Sequence, residues 1–528
     1  MSAAAPTVAA PLSRADDRRH ALAAVAVVPV LASVYQTLVL TDVTSDVIRK
    51  GIEADSYQIL WSNVAWGVSV VFGVFGGLAV MARHGARFGL TAGLATFALG
   101  NYLCGAASDL TVLCGAKLVE GIGKGMVIVL CRSTLYRQFD RAVLVAIGIY
   151  GILAYSTRPT TPLFTAYVND TLSWRWIFWV NVPVALVGLV LVRTLFRPDR
   201  PPKPLPIRID WIAVWLLAAW LVSLIFVFGW YRRWGGWASD EFAAAVVAAV
   251  VLPLLLAARV WGGFTFDEHL ARILKVRGYL IAMVTRMLLL VNLLAVLTLM
   301  AAYMLNLRGY PRDVTADLLA WASAPMAAST LLTTAFHRRA LRPLWLFVGA
   351  VGSATCVWWM STADNFTAKG DLAWMLAAWG GFIGLLPPVF LADEVEALDP
   401  RDALYAGGLS VIVLVVPLIL VPTLAQTMVA EWTDRALEVQ RQNLREDRPA
   451  VRDATAALVD DYRQRGSTSQ EAQAHASTAL GAYVRAESAA RGVRAGLRFL
   501  SLVTGGLGLA IALVRFLAPG RTLSSVTR

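Results

Sequence analysis

The stretch 278–304 reads GYLIAMVTRMLLLVNLLAVLTLMAAYM and carries one charged residue, Arg286, among its 27 positions. A helix rises about 1.5 Å per residue and the hydrocarbon core of a bilayer is about 30 Å thick, so roughly 20 apolar residues are enough to cross it. An apolar run of this length is typical of a transmembrane helix rather than of a strand or a soluble helix.

The composition of the whole 528-residue chain agrees with this interpretation. The chain is 58% hydrophobic and only 16% charged, with a mean hydropathy of +0.61. Soluble domains carry about 25% charged residues, so the soluble, disordered and fibrous classes are excluded. The formal net charge of +12 indicates basic cytoplasmic loops in a membrane protein. We therefore expect the lipid bilayer, and no nucleic acid, as a partner.

The sequence contains no pattern of an enzyme or of a metal centre. Its four cysteines, Cys104, Cys114, Cys131 and Cys356, lie in or beside apolar stretches and are expected to pack as small apolar side chains. We find no G-x-x-x-x-G-K-[ST] loop, no H-E-x-x-H and no G-x-S-x-G. The expectation is a protein that is not an enzyme and holds neither a metal nor a bound cofactor.

Further apolar runs of spanning length raise the number of predicted transmembrane helices to about fourteen. Spans 1 to 14 are, in order, 21–41, 59–82, 88–108, 110–131, 142–168, 174–196, 210–230, 241–261, 278–304, 314–336, 341–361, 372–392, 401–426 and 496–518. The predicted fold is an all-α polytopic membrane protein.

The distribution of Lys and Arg predicts the orientation. If the N-terminal tail (1–20) is inside, the inner segments include 83–87, 132–141, 193–208, 259–277 and 337–342, and they hold far more Lys and Arg than the short outer loops. This asymmetry fits the positive-inside rule. An even number of helices returns the C-terminal tail (519–528) to the same side. We expect a multi-pass protein of a bacterial inner membrane with both termini in the cytoplasm.

One long outer segment, residues 427–495 between spans 13 and 14, is polar, Ala-rich and densely charged. Its composition favours helices. Pro449 suits the first turn of a helix, and Gly466-Ser-Thr-Ser is typical of a turn. The segment predicts a periplasmic helical hairpin that projects from the membrane. Two roles stay open: a solvated linker without a partner, or a docking surface for a periplasmic membrane-fusion adaptor protein.

Two similar basic turns indicate a weak internal repeat. One turn, Arg83-His-Gly-Ala-Arg87, joins spans 2 and 3, and the other, His337-Arg-Arg-Ala-Leu-Arg342, joins spans 10 and 11. Their spacing of eight helices predicts two pseudo-repeated six-helix halves, with two additional helices at 210–261 between them. The first half is 21–196, and the second consists of 278–426 and 496–518. Duplicated halves are a transporter architecture.

Several motifs resemble those of a known family. Ser173-Trp-Arg-Trp-Ile-Phe-Trp-Val-Asn-Val-Pro183 resembles the segment that opens the sixth helix in the fourteen-helix drug:proton antiporters of the major facilitator superfamily. Leu118-Val-Glu-Gly-Ile-Gly-Lys-Gly125 resembles their helix-four motif, Asp210-Trp-Ile their start of helix seven, and Trp237-Ala-Ser239 their seven–eight loop. The resemblance implies secondary transport, with a proton as the coupling ion.

Three departures from the family pattern bear on this coupling. The loop between helices 2 and 3 reads Gly77-Leu-Ala-Val-Met-Ala-Arg83 and lacks the acidic residue of the family. Span 1 has Tyr35-Gln-Thr37 where many relatives carry an Asp. Span 5 reads Thr157-Arg-Pro-Thr-Thr-Pro162, so that its second Pro is kept while Thr and Arg158 replace family Gly and Pro residues. Since Gly allows helices to approach closely, we expect packing between the halves to change.

Ionisable residues at membrane depth cost roughly 2.5–3.5 kcal/mol on insertion scales, so each is a candidate site residue. Span 4 holds Lys117, Glu120 and Lys124, whose spacing places them on one helix face where they could pair. The position of Lys117 is, in the family, an Arg linked to proton coupling. A protonation switch and a static pair both stay open. Arg158 could neutralise Glu120 or bind an anionic substrate group through its planar fork.

The remaining candidate residues fall into two groups. The coupling and substrate cavity is expected to combine the charged residues with neutral lining, and its members are Lys117, Glu120, Arg158, Tyr35, Gln36 and Pro162. An inner-face gate is expected from Arg83, Arg87, Asp393 and Glu394. A solvated acidic loop is the alternative for the last two. Arg286 either contributes to the cavity or snorkels to the cytoplasmic surface.

These features support the hypothesis of a secondary active transporter that exports an amphipathic small molecule or drug in exchange for protons. The excess of cations suggests an anionic or zwitterionic substrate. A different class also stays open: a transport-inactive membrane scaffold or sensor that uses the outer hairpin as its interaction surface. The missing family acids favour this alternative.

Overall fold

The structure, a computed structural model, describes residues 47–55, 57–138, 143–196, 209–261, 272–364, 366–397, 403–443, 449–466 and 468–517. Within these ranges every regular element is helical, which confirms the all-α prediction. Ten of the described helices are long and apolar enough to cross a membrane. Spans 3, 4 and 5 are helical too, although they fall outside those ten. Span 1, with Tyr35 and Gln36, and the two tails lie outside the described residues.

Most described spans form one helix each. The helices are Leu60–His84 (span 2), Ala86–Ala106 (span 3), Leu110–Gln138 (span 4), Asn181–Leu195 (span 6), Trp211–Gly229 (span 7), Asp240–Trp261 (span 8), Arg277–Ala302 (span 9) and Arg342–Met360 (span 11). Gly85, at φ +88°, makes the tight turn between spans 2 and 3. Asp210 caps span 7, because its carboxylate accepts from the N–H groups of Ile212 and Ala213.

Span 6 has a short break at Val180, between Trp176–Trp179 and Asn181–Leu195, and three further described spans are interrupted near prolines. Span 5 consists of Val143–Gly151, a π-helical turn at Ile152–Ser156, a 3₁₀ turn at Arg158–Thr160 and the helix Thr161–Thr171. Span 10 consists of Arg312–Ala320 and Ser323–Ala335, and span 12 of Lys369–Ile383 and Leu386–Glu396. Prolines lie at or just after these breaks (Pro159, Pro162, Pro325 and Pro387), where each removes a backbone donor and disfavours a continuous helix.

The first half of the molecule is organised around span 4, which packs against spans 2 and 3. Glycines make these contacts close: a Cβ added at Gly73 would collide with the carbonyl of Ile122, and one at Gly123 with the backbone of Phe97. In the second half, span 9 packs against spans 12, 13 and 14. The halves meet where span 5 contacts spans 10 and 12 and where span 2 contacts span 13.

The outer segment is helical, and its helices continue the flanking spans. Span 13 continues without a break as Ala403–Asn443, a short helix follows at Pro449–Gln464, and span 14 begins far outside the apolar run as Ser469–Leu517. Pro449 is the first residue of its helix, and Gly466 (φ +96°) lies in the turn that follows. The flanking spans continue because their polar extensions are rich in good helix formers.

Candidate functional site

The first buried charge cluster lies within span 4. The carboxylate of Glu120 is fully buried, with one oxygen 3.1 Å from Nζ of Lys117 and the other 2.9 Å from Nζ of Lys124. Both lysines are also buried, and their ammonium groups lie over the rings of Phe178 (4.7 Å) and Trp66 (5.1 Å). The expected pairing of Lys117 with Glu120 is therefore present, and Lys124 completes it.

Neighbouring helices enclose this cluster closely. A Cβ added at Gly100 of span 3 would collide with the backbone of Glu120, and one at Gly121 would collide with the hydroxyl of Ser69 in span 2. That Ser69 hydroxyl donates to the carbonyl oxygen of Lys117 at 3.2 Å. The described surroundings of the cluster thus come from spans 2, 3, 4 and the start of span 6, all of them in the first half.

Arg158 lies elsewhere, at the boundary between the halves. It is fully buried, and its 3₁₀ turn packs against both helices of span 10. Its Nε donates to the carbonyl oxygen of Ala154 at 2.7 Å, while the hydroxyl of Thr157 donates to the carbonyl of Leu153. These side chains satisfy carbonyls where the irregular backbone leaves them without helical partners. Pro162 is buried in the first turn of the next helix.

A second buried charge cluster joins the two halves. Glu394, near the end of span 12, pairs with Arg132 of span 4 through one carboxylate oxygen and with Arg286 of span 9 through the other, at 3.1 Å. All three side chains are at least nine-tenths buried. Arg132 also donates to the hydroxyl of Ser410 in span 13. One carboxylate thereby connects a cation of the first half to a cation of the second.

Tyrosines surround this cluster. Arg286 donates from Nε to the hydroxyl of Tyr155 at 2.9 Å and from a terminal nitrogen to that of Tyr150 at 3.4 Å. Both tyrosines belong to span 5. The guanidinium of Arg132 lies 5.6 Å from the ring centroid of Tyr150. Span 5 therefore contributes hydroxyl groups to the same boundary at which it carries Arg158.

The predicted gate residues are not all at this cluster. Asp393 pairs with Arg342 at 2.9 Å and with Arg515, and these contacts lie within the second half. Arg83 is exposed, and Arg87 donates to the backbone carbonyl of Arg193. Glu394 does contact inner arginines, but the recorded ones are Arg132 and Arg286. Arg87 therefore caps the C-terminal end of span 6, where helix carbonyl groups lack helical partners.

Sequence reasoning missed Arg132 for a specific reason. The apolar run of span 4 ends at residue 131, so the sequence places Arg132 in the cytoplasmic segment 132–141. The helix in fact continues to Gln138, and Arg132 is 5% exposed. The partner of Arg132 is Glu394 on span 12. The two residues are 262 positions apart, so no local pattern in the sequence links them.

An open cleft of about 610 Å³ lies on the opposite, outer side of the boundary. Its walls come from spans 5, 10 and 12 and include Leu163, Asp317, Trp321 and Lys369.

Among the residues that the structure describes, no group of three or more His, Cys, Asp or Glu side chains is arranged to hold a metal ion.

The sequence matches the Major Facilitator Superfamily over residues 21–422. The chain belongs to this superfamily. It is accordingly a multi-pass membrane protein of a transporter family, rather than a member of an enzyme family. A superfamily structure, a bacterial homologue of the human lysosomal transporter Spinster in an inward-facing and unoccupied conformation, covers 94% of this chain and 96% of its own at a TM-score of 0.51. At 13% identity, this likeness concerns the fold alone.

The superfamily relatives include named export proteins. The chain is 25% identical to the multidrug export protein EmrB of Escherichia coli K12 over 54% of its own length and 55% of EmrB. It is 28% identical to the uncharacterized MFS-type transporter Rv1877 of Mycobacterium tuberculosis, over 42% of its own length and 32% of that protein. The chain thus spans between about a third and about half of these relatives. The similarity to EmrB agrees with the drug-export motifs in the sequence.

Proposed function

We propose that this superfamily member is a proton-coupled secondary transporter that exports a small amphipathic anion by alternating access. The names of its relatives, among them EmrB and the efflux pump FUS6 of Gibberella fujikuroi (31% identical over 27% of each chain), support export. The observation that carries the proposal is the Arg132–Glu394–Arg286 cluster, because it connects the two halves that must move apart in alternating access.

The cluster supports a gate at one end of the bundle. Arg132 and Glu394 lie near the ends of spans 4 and 12 that the positive-inside rule assigns to the cytoplasm, and Arg286 lies about two turns into span 9. The halves cannot separate at that end without breaking the ion pair between Arg132 and Glu394. A proton on Glu394 would remove its charge and weaken both of its ion pairs, so protonation favours opening.

The buried charges support an anionic substrate. Among the described residues, six cations and two carboxylates are buried as whole residues; the cations are Lys117, Lys124, Arg132, Arg158, Arg286 and Arg342, and the carboxylates are Glu120 and Glu394. Each of those carboxylates already lies between two cations. Arg158 adds positive charge at the boundary, and a planar guanidinium is well suited to bind a carboxylate or sulfonate. The coupling role of Lys117 and Glu120 stays a prediction.

The proposed setting is a bacterial inner membrane with both termini in the cytoplasm. The helices that extend spans 13 and 14 would then project into the periplasm, where a membrane-fusion adaptor is a possible class of partner. A scaffold without transport activity is the competing proposal, and these long outer extensions are the observation that favours it.

Transport in vesicles tests the proposal. The purified full-length protein is reconstituted, and uptake of the anionic amphiphile anilinonaphthalene sulfonate is compared with that of the cationic ethidium under an imposed pH gradient. We expect uptake of the anion above protein-free vesicles, and its loss when nigericin collapses the gradient. A preference for ethidium would refute the substrate class. Absence of flux for both probes, in protein that remains folded, would favour the scaffold.

A further inference from the structure

The cleft of about 610 Å³ on the outer side lies between the two halves. Leu163 of span 5 forms the wall from the first half, and residues 313–321 of span 10 and 369–373 of span 12 form the wall from the second. Span 5 and the outer part of span 10 pack against each other at this level. The cleft is therefore at the same boundary as the Glu394 cluster, but at the other end of the bundle.

The deeper part of the cleft is apolar and exposed. Leu163 is 41% exposed and Trp321 is 52% exposed, and Leu318 lies buried between the cleft and the core. The outer end of span 5 is Thr171, and Leu163 lies eight positions from it. The outer end of span 10 is Arg312, and Trp321 lies nine positions from it. At about 1.5 Å per residue this is about 12 Å below the helix ends, within the depth of lipid acyl chains.

The rim of the cleft carries charges of both signs, on the two spans that form its wall from the second half. Asp313 and Asp317 are one turn apart on span 10 and both are exposed, while Lys369 is the first residue of the span 12 helix. No ion pair within 4.0 Å joins these three residues to one another in the described part of the chain. The ammonium of Lys369 lies 5.2 Å from the ring centroid of Tyr310, which holds it at the rim.

We propose that this cleft binds a zwitterionic amphiphile from the adjoining membrane leaflet. The acyl chain lies along the exposed apolar side chains of Leu163 and Trp321, which line this concave surface. The ammonium of the head group binds between Asp313 and Asp317, and its anionic group binds Lys369. A purely anionic head group would meet the two carboxylates and be repelled by them. This binding requires no transport, so it stands apart from the proposed export activity.

Gly370 offers a way to fill the cleft without disturbing the fold. It lines the cleft, and a Cβ added there meets no atom within 4 Å. A matched control is Gly115 of span 4, which is also exposed, also near the outer end of its helix, and also meets no atom within 4 Å. Gly115 does not line the cleft.

Photolabelling tests the site. Full-length protein in lipid nanodiscs is irradiated with phosphatidylethanolamine that carries a diazirine near the middle of one acyl chain, and labelled peptides are identified by mass spectrometry. We expect labels on the peptides of Leu163 and Trp321. Gly370→Phe should reduce these labels at least fivefold, and Gly115→Phe should leave them unchanged. Labelling of Gly370→Phe that equals the wild type would overturn the proposal.

The head-group assignment has its own comparison. Diazirine-labelled phosphatidylglycerol, which is anionic, and diacylglycerol, which is neutral, are expected to label the two peptides several-fold less than phosphatidylethanolamine. Asp313→Asn with Asp317→Asn, both exposed and expected to fold, should remove that preference. If diacylglycerol labels as strongly as phosphatidylethanolamine, the rim does not recognise a zwitterion and the proposal is wrong. If Gly370→Phe fails to fold, Gly370→Leu replaces it with the same expected direction.

Discussion

Two buried clusters each place one carboxylate between two cations, yet they differ in how the chain builds them. Lys117, Glu120 and Lys124 belong to a single helix, within seven positions of one another. Glu394 meets Arg132 and Arg286 across 262 and 108 residues of sequence, on three different spans. The first cluster keeps its geometry as long as span 4 remains a helix. The second keeps its geometry only while the halves stay in one arrangement.

This difference separates a structural ion pair from a conformational one. A buried ion pair contributes little net stability compared with apolar packing, but loss of one partner leaves an uncompensated charge and is costly. In span 4, loss of one charged partner destabilises the folded protein in every conformation. In the proposed gate, the arginines beside Glu394 reach water when the inner end opens, so the loss of Glu394 destabilises one conformation relative to the other.

The largest effect is expected from Glu120→Ala. The substitution leaves Lys117 and Lys124 buried without a carboxylate, and removing one partner of a buried pair costs about 3–5 kcal/mol. We expect a sharp loss of folded protein, measured as yield after size-exclusion chromatography and as the apparent Tm in detergent. A Glu120→Ala protein with the wild-type Tm would show that the cluster is already hydrated.

The matched control removes all three charges at once, as Lys117→Met, Glu120→Leu and Lys124→Met. Apolar replacement of a whole buried cluster is often neutral for stability, so the triple variant should recover the Tm that Glu120→Ala loses. Its transport activity then decides the role of the cluster. A folded triple variant that transports normally makes the cluster structural, and one that is folded but inactive supports proton coupling there.

A smaller effect, on conformation rather than on folding, is expected from Glu394→Gln. The neutral side chain loses two charge-assisted hydrogen bonds, so the equilibrium should shift tenfold or more, about 1.4 kcal/mol, toward an open inner end. Spin labels at Arg83 and Arg338, both exposed on the basic turns of the two halves, report this as a population of longer distances in double electron–electron resonance.

Glu396→Gln is the control for this measurement. Glu396 pairs with Arg342 and Arg339 inside the second half, so its neutralisation should leave the distance distribution between Arg83 and Arg338 unchanged. Equal shifts in both variants would mean that general loss of negative charge at the inner surface, rather than the cluster across the halves, opens that end.

A modest pH effect is expected at His337, in the turn before span 11. Burial, together with the neighbouring guanidinium of Arg342, lowers the pKa of His337 below its usual value of 6.5. Its Nε2 accepts from Nε of Arg342 at 3.0 Å, so the neutral form is the one that stabilises the turn. The contribution is present above pH 6.5 and is lost as the pH falls toward the lower folded-state pKa.

Hydrogen exchange of residues 336–342 measures this contribution. Exchange, corrected for its intrinsic pH dependence, should quicken between pH 7.5 and pH 5 in the wild type. In His337→Gln the corrected rate should no longer depend on pH, because the amide keeps an acceptor and does not titrate in that range. An unchanged acid response in His337→Gln would assign the effect to another group.

The smallest effect is expected from the exposed pair Arg232–Asp434, which joins the loop after span 7 to the extension of span 13. The atoms lie 2.6 Å apart, but the side chains are 46% and 53% exposed. Exposed pairs contribute about 0–1 kcal/mol and are screened by salt. A double-mutant cycle of Arg232→Ala and Asp434→Ala should therefore give a coupling energy below about 1 kcal/mol. A larger value would indicate that the loop after span 7 and the extension of span 13 are held rigidly together.

The sequence allowed the helical architecture to be predicted well, because apolar run length is a local property. Apolar run length did not predict where the helices end. Span 4 continues past residue 131, and spans 13 and 14 continue into the outer segment, since polar helix formers extend a helix that the membrane no longer requires. The helices of the segment 427–495 therefore run on from spans 13 and 14.

The candidate site could be predicted only in part, for a related reason. Lys117 and Glu120 are three positions apart, so helical geometry alone brings them together. Arg132 and Glu394 meet because two distant helices pack at the boundary, and no periodicity in one sequence encodes that contact. For Arg158 the sequence leaves two roles open, neutralising Glu120 or binding an anionic substrate group; in the structure it bonds to its own turn, and that turn packs against span 10.

The unbroken helix Ser469–Leu517 has a mechanical consequence. Its 49 residues measure about 74 Å, more than twice the thickness of the hydrocarbon core. Because span 14 is packed along span 11, a tilt of the second half also moves the outer end of this helix. A tilt of about 10° displaces a point about 35 Å beyond the membrane by about 6 Å. In the proposed mechanism, a small tilt at the inner end would therefore become a larger displacement at the outer end of this helix.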